Sequence, residues 1–156
     1  MRDIIHRPIS CQEVMKDKII TSYMSELIKE TGKDHKERFF KICAKDNHIR
    51  ATKHCTGDDC AVIPSADCSQ GEITIGWFHT HPIPGEERLS SSDVLYGLDK
   101  DFSCVGFIKE NKNKVLCFNY PYSMPLHELG ESSDVFSDID SILKKGIKRD
   151  CEEILE

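Results

Sequence analysis

The pattern of apolar and polar positions divides the chain into helical and alternating stretches. From Ile9 to about Glu30, the apolar residues Met15, Ile19, Tyr23 and Leu27 recur at helical spacing, which predicts a helix with one apolar face. Ser10 followed by Glu13 makes a capping box: the serine side chain accepts from a free backbone N–H and the glutamate reaches back. Ile9 and Val14 stand where a hydrophobic staple packs, and Gly32 reads as the stop. Arg38 to Ala44 is β-rich, with Asn47 to Thr52 as its hairpin partner, and Lys53 to Gln70 reads as loop or irregular strand. Glu72 to His79 is a further strand. Ile83 to Leu89 is a loop, and Ser90 to about Asp99 a short helix. Phe102 to Lys109 and Lys114 to Tyr120 form a hairpin around the polar stretch ENKN. Ser133 to Leu155 reads as a second long helix, with Val135, Ile139, Ile142, Ile147 and Ile154 on one side.

No internal repeat or low-complexity linker interrupts this order. It predicts a single α+β domain over residues 1–156. The expected architecture is a mixed β-sheet flanked by an N-terminal and a C-terminal helix, with a short helix between.

Composition narrows the function classes. Apolar residues make up 38% and charged residues 31%, as in an ordinary globular protein. The formal net charge is −6, with Lys and Arg scattered, so no footprint for a nucleic-acid backbone is visible. No apolar run is long enough to cross a membrane. Met1 to Ile9 contains Arg2, Asp3 and Arg7 and does not read as a secretory signal, so the cytoplasm is the expected location.

The chemistry concentrates in Gly76 to Val94, GWFHTHPIPGEERLSSSDV. Alternate strand residues share a face, so His79 and His81 can aim both imidazoles at one point. Pro82 then ends regular pairing, since it has no N–H to donate. Asp93 lies twelve positions beyond His81, past a turn-rich loop that can fold back. Two imidazoles and a carboxylate suit zinc and leave a fourth position for water. A bland reading exists for each part: two exposed strand histidines, and Ser90 with Asp93 as a helix cap and its reciprocal partner. The combination of H-T-H-P, a turn loop and S-x-x-D opening a helix is far more specific.

This combination resembles the JAMM, or MPN-plus, metalloprotease motif. The resemblance covers Glu37 to Tyr120 and implies a cytidine-deaminase-like fold. It also implies a zinc ion held by His79, His81 and Asp93, with Ser90 donating to the oxyanion and an upstream glutamate as general base. Glu37, just before the first β-rich run, holds the position of that glutamate. Glu26 and Glu30 are alternatives on the predicted helix. The chain departs from the family pattern in three places. The loop from Pro82 to Ser92 is one residue longer, Leu89 stands where a proline often precedes the serine, and Phe40 stands where a small residue often follows the glutamate.

The resemblance implies a zinc-dependent hydrolase of peptide or isopeptide bonds, of the prokaryotic stand-alone type. Its expected substrates are conjugates of ubiquitin-like modifiers or of sulfur-carrier proteins. The alternatives are a non-catalytic MPN-type interaction module and a RadC-type protein associated with DNA repair. The oligomeric state is not legible in the sequence.

Eight cysteines complete the inventory. In a cytoplasmic protein they stay reduced, bind metal or pack; hyperthermophiles are an exception in which disulfides occur inside the cell. Cys55, Cys60 and Cys68, with His54, could form a second metal site, though packing or a disulfide explains them more simply. Cys104 and Cys117 face each other if the hairpin turns at Glu110 and Asn111. Of the residues before the histidines, Phe78 reads as core, and Trp77 or Phe78 could line a substrate groove.

Overall fold

Ser10 caps the first helix as the capping box requires, its side chain accepting from the Glu13 N–H at 3.4 Å. The helix then breaks. The computed structural model, which describes residues 9–62, 66–82, 101–119 and 150–155, shows α1 over Cys11–Met15 and α2 over Lys18–Asp34. Asp17 opens α2 by accepting from the Ile20 N–H at 3.0 Å. This second cap resets the helical phase. Ile20, Met24, Leu27, Ile28 and Thr31 are the buried stripe, and Ile19, expected on the apolar face, is 83% exposed. Gly32 does not stop the helix. It lets α2 approach the sheet, because a Cβ there would come within 2.5 Å of Ile108. The chain leaves α2 through His35, whose φ of 58° is left-handed and whose N–H caps the Thr31 carbonyl.

Strands β1 (Arg38–Lys45), β2 (His48–Ala51), β3 (Cys55–Thr56), β4 (Ile73–Thr80), β5 (Phe102–Lys109), β6 (Lys112–Asn119) and β7 (Cys151–Leu155) form one sheet. The order is β2-β1-β4-β5-β6-β7, with β3 also paired to β1. Only β4 and β5 run parallel; the other pairs are antiparallel. A register shift opposite Ile42 and Cys43 leaves Ile75 as an extra residue in β4, and the sheet curls toward a half-barrel. A short α3 (Asp59–Val62) lies in the irregular segment after β3.

Parity along the strands defines two faces. Phe40, Ile42, Phe78, Thr80, Phe102, Cys104, Val115 and Cys117 face α1 and α2, and nearly all belong to one buried apolar cluster with the helix residues. On the other face, Val105, Phe107, Leu116 and Phe118 are also buried. The β5–β6 turn consists of Glu110 and Asn111, both at positive φ, the two-residue geometry that matches strand twist. It sets Cys104 opposite Cys117.

The expected architecture requires correction. This fold is dominated by strands in a curled sheet, not an α+β sheet flanked by an N-terminal and a C-terminal helix. The clearest difference is at Cys151–Leu155, expected as the end of a long helix and observed as β7. Glu and Leu favour helix locally, but β6 offers this segment an unpaired edge. The ladder from Asn113↔Leu155 to Cys117↔Cys151 satisfies the backbone, and Lys114 reaches Glu152 at 2.5 Å. Residues 133–149 of that expected helix, and the expected helix from Ser90, lie outside the described residues.

All eight cysteines pair, as Cys11–Cys151, Cys43–Cys68, Cys55–Cys60 and Cys104–Cys117. The first ties α1 to β7 across 140 residues of sequence. Among the described residues no helix is long and apolar enough to cross a membrane.

Candidate functional site

His79 and Thr80 end β4, and His81 follows with its N–H donating to the Gly106 carbonyl of β5 at 2.9 Å. The strand geometry therefore persists through His81, and the alternation expected from H-T-H is realised. The Nε2 atoms of His79 and His81 lie 2.9 Å apart, with ring centres 4.7 Å apart. Two imidazole nitrogens on one tetrahedral zinc, with Zn–N bonds of about 2.0–2.1 Å, stand roughly 3.3 Å apart. The pair thus converges within a few tenths of an ångström of a zinc-ligand spacing, and its donor chemistry fits that metal. His81 is 8% exposed and His79 half-buried.

Thr80 points the opposite way, into the helix side. Its hydroxyl lies 2.7 Å from that of Thr31 on α2 and accepts from the Arg38 N–H at 2.8 Å. The guanidinium of Arg38 forks onto Asp34 with N–O distances of 2.8 and 2.6 Å and also donates to the Lys36 carbonyl. That fork holds the Asp34 carboxyl far below the usual carboxylate range, and Asp34 in turn raises Arg38. Thr31 and Arg38 were not legible as site residues. Their one sequence signal is that polar groups occupy core-facing positions, where each needs a partner.

β1 runs antiparallel beside β4 with Phe39 opposite His79. Glu37 immediately precedes β1, two residues before Phe39. It is exposed, and its carbonyl accepts from Gly57 at 2.6 Å. Glu30 belongs elsewhere: its carboxylate stands 3.2 Å from Arg38 Nε, at ion-pair distance but out of line for a hydrogen bond. That places Glu30 behind β1, on the helix side; Glu26 is likewise on α2. Ser90 and Asp93 lie outside the described residues. Among the described residues no third His, Cys, Asp or Glu completes a metal-binding group.

The cysteine-rich segment does not gather as a second metal centre. Cys55 bonds to Cys60, and Cys68 bonds to Cys43. His54 Nδ1 shares a 2.6 Å hydrogen bond with the Tyr23 hydroxyl, which also accepts from the His54 N–H. Burial lowers the His54 pKa and raises that of Tyr23. Phe78 is fully buried, as its position predicts, and Trp77 is half-buried on the histidine face.

The chain matches no family model, and no curated protein matches it significantly.

Proposed function

We propose that the chain is a zinc-dependent hydrolase of peptide or isopeptide bonds. The observation that carries this reading is the convergence of His79 and His81 at 2.9 Å at the end of β4. The sequence motif supports the rest, since S-x-x-D follows H-T-H-P at nearly the spacing of the JAMM pattern. The reading rests on this motif and on the local geometry of β1 and β4.

His79 and His81, with Asp93 as the motif's third ligand, would hold the zinc. Zinc bound there would supply an acidified water and a Lewis acid for the scissile carbonyl. Glu37 takes a proton on its carboxylate from the attacking water and returns it to the leaving amine. Ser90 donates a hydrogen bond to the oxygen on which negative charge develops. Thr80, held from behind by Thr31 and Arg38, fixes the strand so that the imidazoles on either side stay aimed at one point.

The substrates in this reading are conjugates of ubiquitin-like modifiers or sulfur-carrier proteins, as the motif implies. The four disulfides suit an oxidising compartment or the cell interior of a hyperthermophile. A cytoplasmic location is therefore proposed only in the second setting.

Metal analysis of the purified chain, paired with cleavage of isopeptide-linked ubiquitin-like fusions with and without chelator, tests the reading. One zinc per chain and chelator-sensitive cleavage are expected, with both lost in His79→Ala/His81→Ala. Stoichiometric zinc in that double variant refutes the site.

A further inference from the structure

The backbone of Glu37 is held by a loop that a disulfide closes. Gly57, directly after β3, donates its N–H to the Glu37 carbonyl at 2.6 Å. Its φ of 55° is left-handed, which turns the chain back sharply enough for that contact. The loop also lies against Lys36, whose side chain is 3.6 Å from where a Cβ on Gly57 would stand. Cys60 donates its N–H to the Gly57 carbonyl at 3.1 Å and bonds back to Cys55. The bridge thus closes a small ring around Gly57. β3 itself adds only two register pairs to β1, Arg38↔Thr56 and Phe39↔Cys55. A ladder that short contributes little hold of its own. At its N-terminal end β3 has another anchor, because the Tyr23 hydroxyl on α2 bonds both the ring and the backbone N–H of His54. At its C-terminal end, from Thr56 to Cys60, the bridge ties the chain down.

We infer that Cys55–Cys60 is a redox latch. Oxidised, it seats the Gly57 loop on the segment that carries Glu37; reduced by an uncharged dithiol, it releases that segment and slows cleavage. Accessibility and loop length set this bridge apart. Cys11, Cys104 and Cys117 have no exposed surface and Cys151 is 5% exposed, so two of the bridges are shielded at both ends. Cys60 is half-buried and presents the reachable end of its bridge. Cys68 is half-buried too, but Cys43–Cys68 closes 25 residues against 5 for Cys55–Cys60. The stability a bridge supplies grows with the chain it closes, so the shortest opens at least cost to the fold. The chemistry selects the reductant. A thiolate attacks the Cys60 sulfur and breaks its bond to Cys55, which leaves as a thiolate and takes a proton. With so short a loop, Cys55 readily expels a monothiol and the bridge re-forms. A dithiol instead resolves its own mixed disulfide: it is oxidised to a cyclic disulfide, and its two electrons and two protons end on Cys55 and Cys60. Asp58 and Asp59, both exposed within the loop, disfavour a reductant that carries further negative charge. The effect on cleavage rests on the hydrolase reading, with Glu37 as base; the release of the loop does not.

The test exposes the full-length chain to graded dithiothreitol and alkylates the freed thiols for mass mapping. On the same samples it follows hydrogen exchange of the Gly57 amide, zinc content and cleavage of an isopeptide-linked ubiquitin-like fusion. Cys55 and Cys60 should become alkylated at lower dithiol than the other six cysteines. The Gly57 amide should then exchange roughly 5- to 10-fold faster, the worth of one hydrogen bond, and slow again on reoxidation. Cys55→Ser/Cys60→Ser should show the fast exchange without any dithiol, and should cleave roughly 10- to 100-fold more slowly at full zinc content, as a displaced catalytic group does. This variant separates the bridge from removal of zinc by the dithiol; if it fails to fold, the titration of the wild type still decides. Opening of another bridge first, or opening of Cys55–Cys60 with unchanged Gly57 exchange, overturns the latch. A chain without zinc or cleavage in which the bridge opens first and frees Gly57 keeps the latch and loses the hydrolase. A zinc-loaded, cleaving double variant that matches the wild-type rate keeps the hydrolase and overturns the control of cleavage.

Discussion

The hydroxyl of Thr80, the residue between the two histidines, meets the hydroxyl of Thr31 on α2 at 2.7 Å in the buried helix–sheet interface. One strand position therefore anchors the strand to the core, while the histidines on either side face the other way. Thr80→Val preserves shape but leaves the Thr31 hydroxyl and the Arg38 N–H without this acceptor. Stability should fall by about 1–3 kcal/mol, read from urea unfolding, whereas Thr80→Ser should stay close to wild type. Equal stability of Thr80→Val would show that the contact is not holding the strand.

Glu37→Gln separates the general base from its alternatives. Glutamine keeps the size of the side chain and cannot take the proton, so cleavage should fall by about 10²-fold or more, with zinc content and Tm unchanged. Glu26→Gln and Glu30→Gln should leave cleavage nearly untouched, because Glu30 engages Arg38 on the helix side of β1. Full cleavage in Glu37→Gln ends its assignment.

Acid stability should reveal the pair Arg50–Glu72, which joins β2 to the residue preceding β4. Glu72 accepts from Arg50 at 2.6 and 2.8 Å and from the Ser69 N–H, and the hydrogen bond from Arg50 is the main reason its pKa drops from 4.5 to about 2. The folded pKa lies below the unfolded one. The stabilisation is therefore complete above pH 4.5 and fades as pH falls toward about 2. The Tm difference between wild type and Glu72→Gln should follow that course. A difference that grows on acidification would contradict it.

The Cys11–Cys151 bridge should matter to stability, since it constrains the unfolded chain across 140 residues. Cys11→Ala/Cys151→Ala should lose roughly 2–5 kcal/mol, measured by denaturant unfolding. Mass analysis of the native chain should find no titratable thiol, because all eight cysteines are paired. A fully reduced chain with unchanged stability would remove the case for an oxidising or hyperthermophilic setting.

Local pattern alone determined β1, β4, β5 and β6, the cap at Ser10 and the shared face of His79 and His81. Each depends on residues within a few positions of one another, where strand alternation or a single side-chain bond decides the geometry. The break at Asp17 was also local, a capping residue hidden inside a continuous apolar pattern. Tertiary structure decided the rest. Cys151–Leu155 became a strand because β6, more than thirty residues away, offered an open edge. The Cys104–Cys117 facing was legible from the hairpin turn at Glu110 and Asn111; the other three bridges were not, since eight cysteines allow about 105 pairings, and tertiary structure chose among them. Glu37 and Glu30 are only seven residues apart, yet one immediately precedes β1 while the other sits on the helix packed behind it and pairs with Arg38. Trp77 and Ser103 became neighbours only when β4 and β5 aligned in parallel. Contacts of this kind depend on which strands meet, and that is settled by how the whole chain buries its apolar faces.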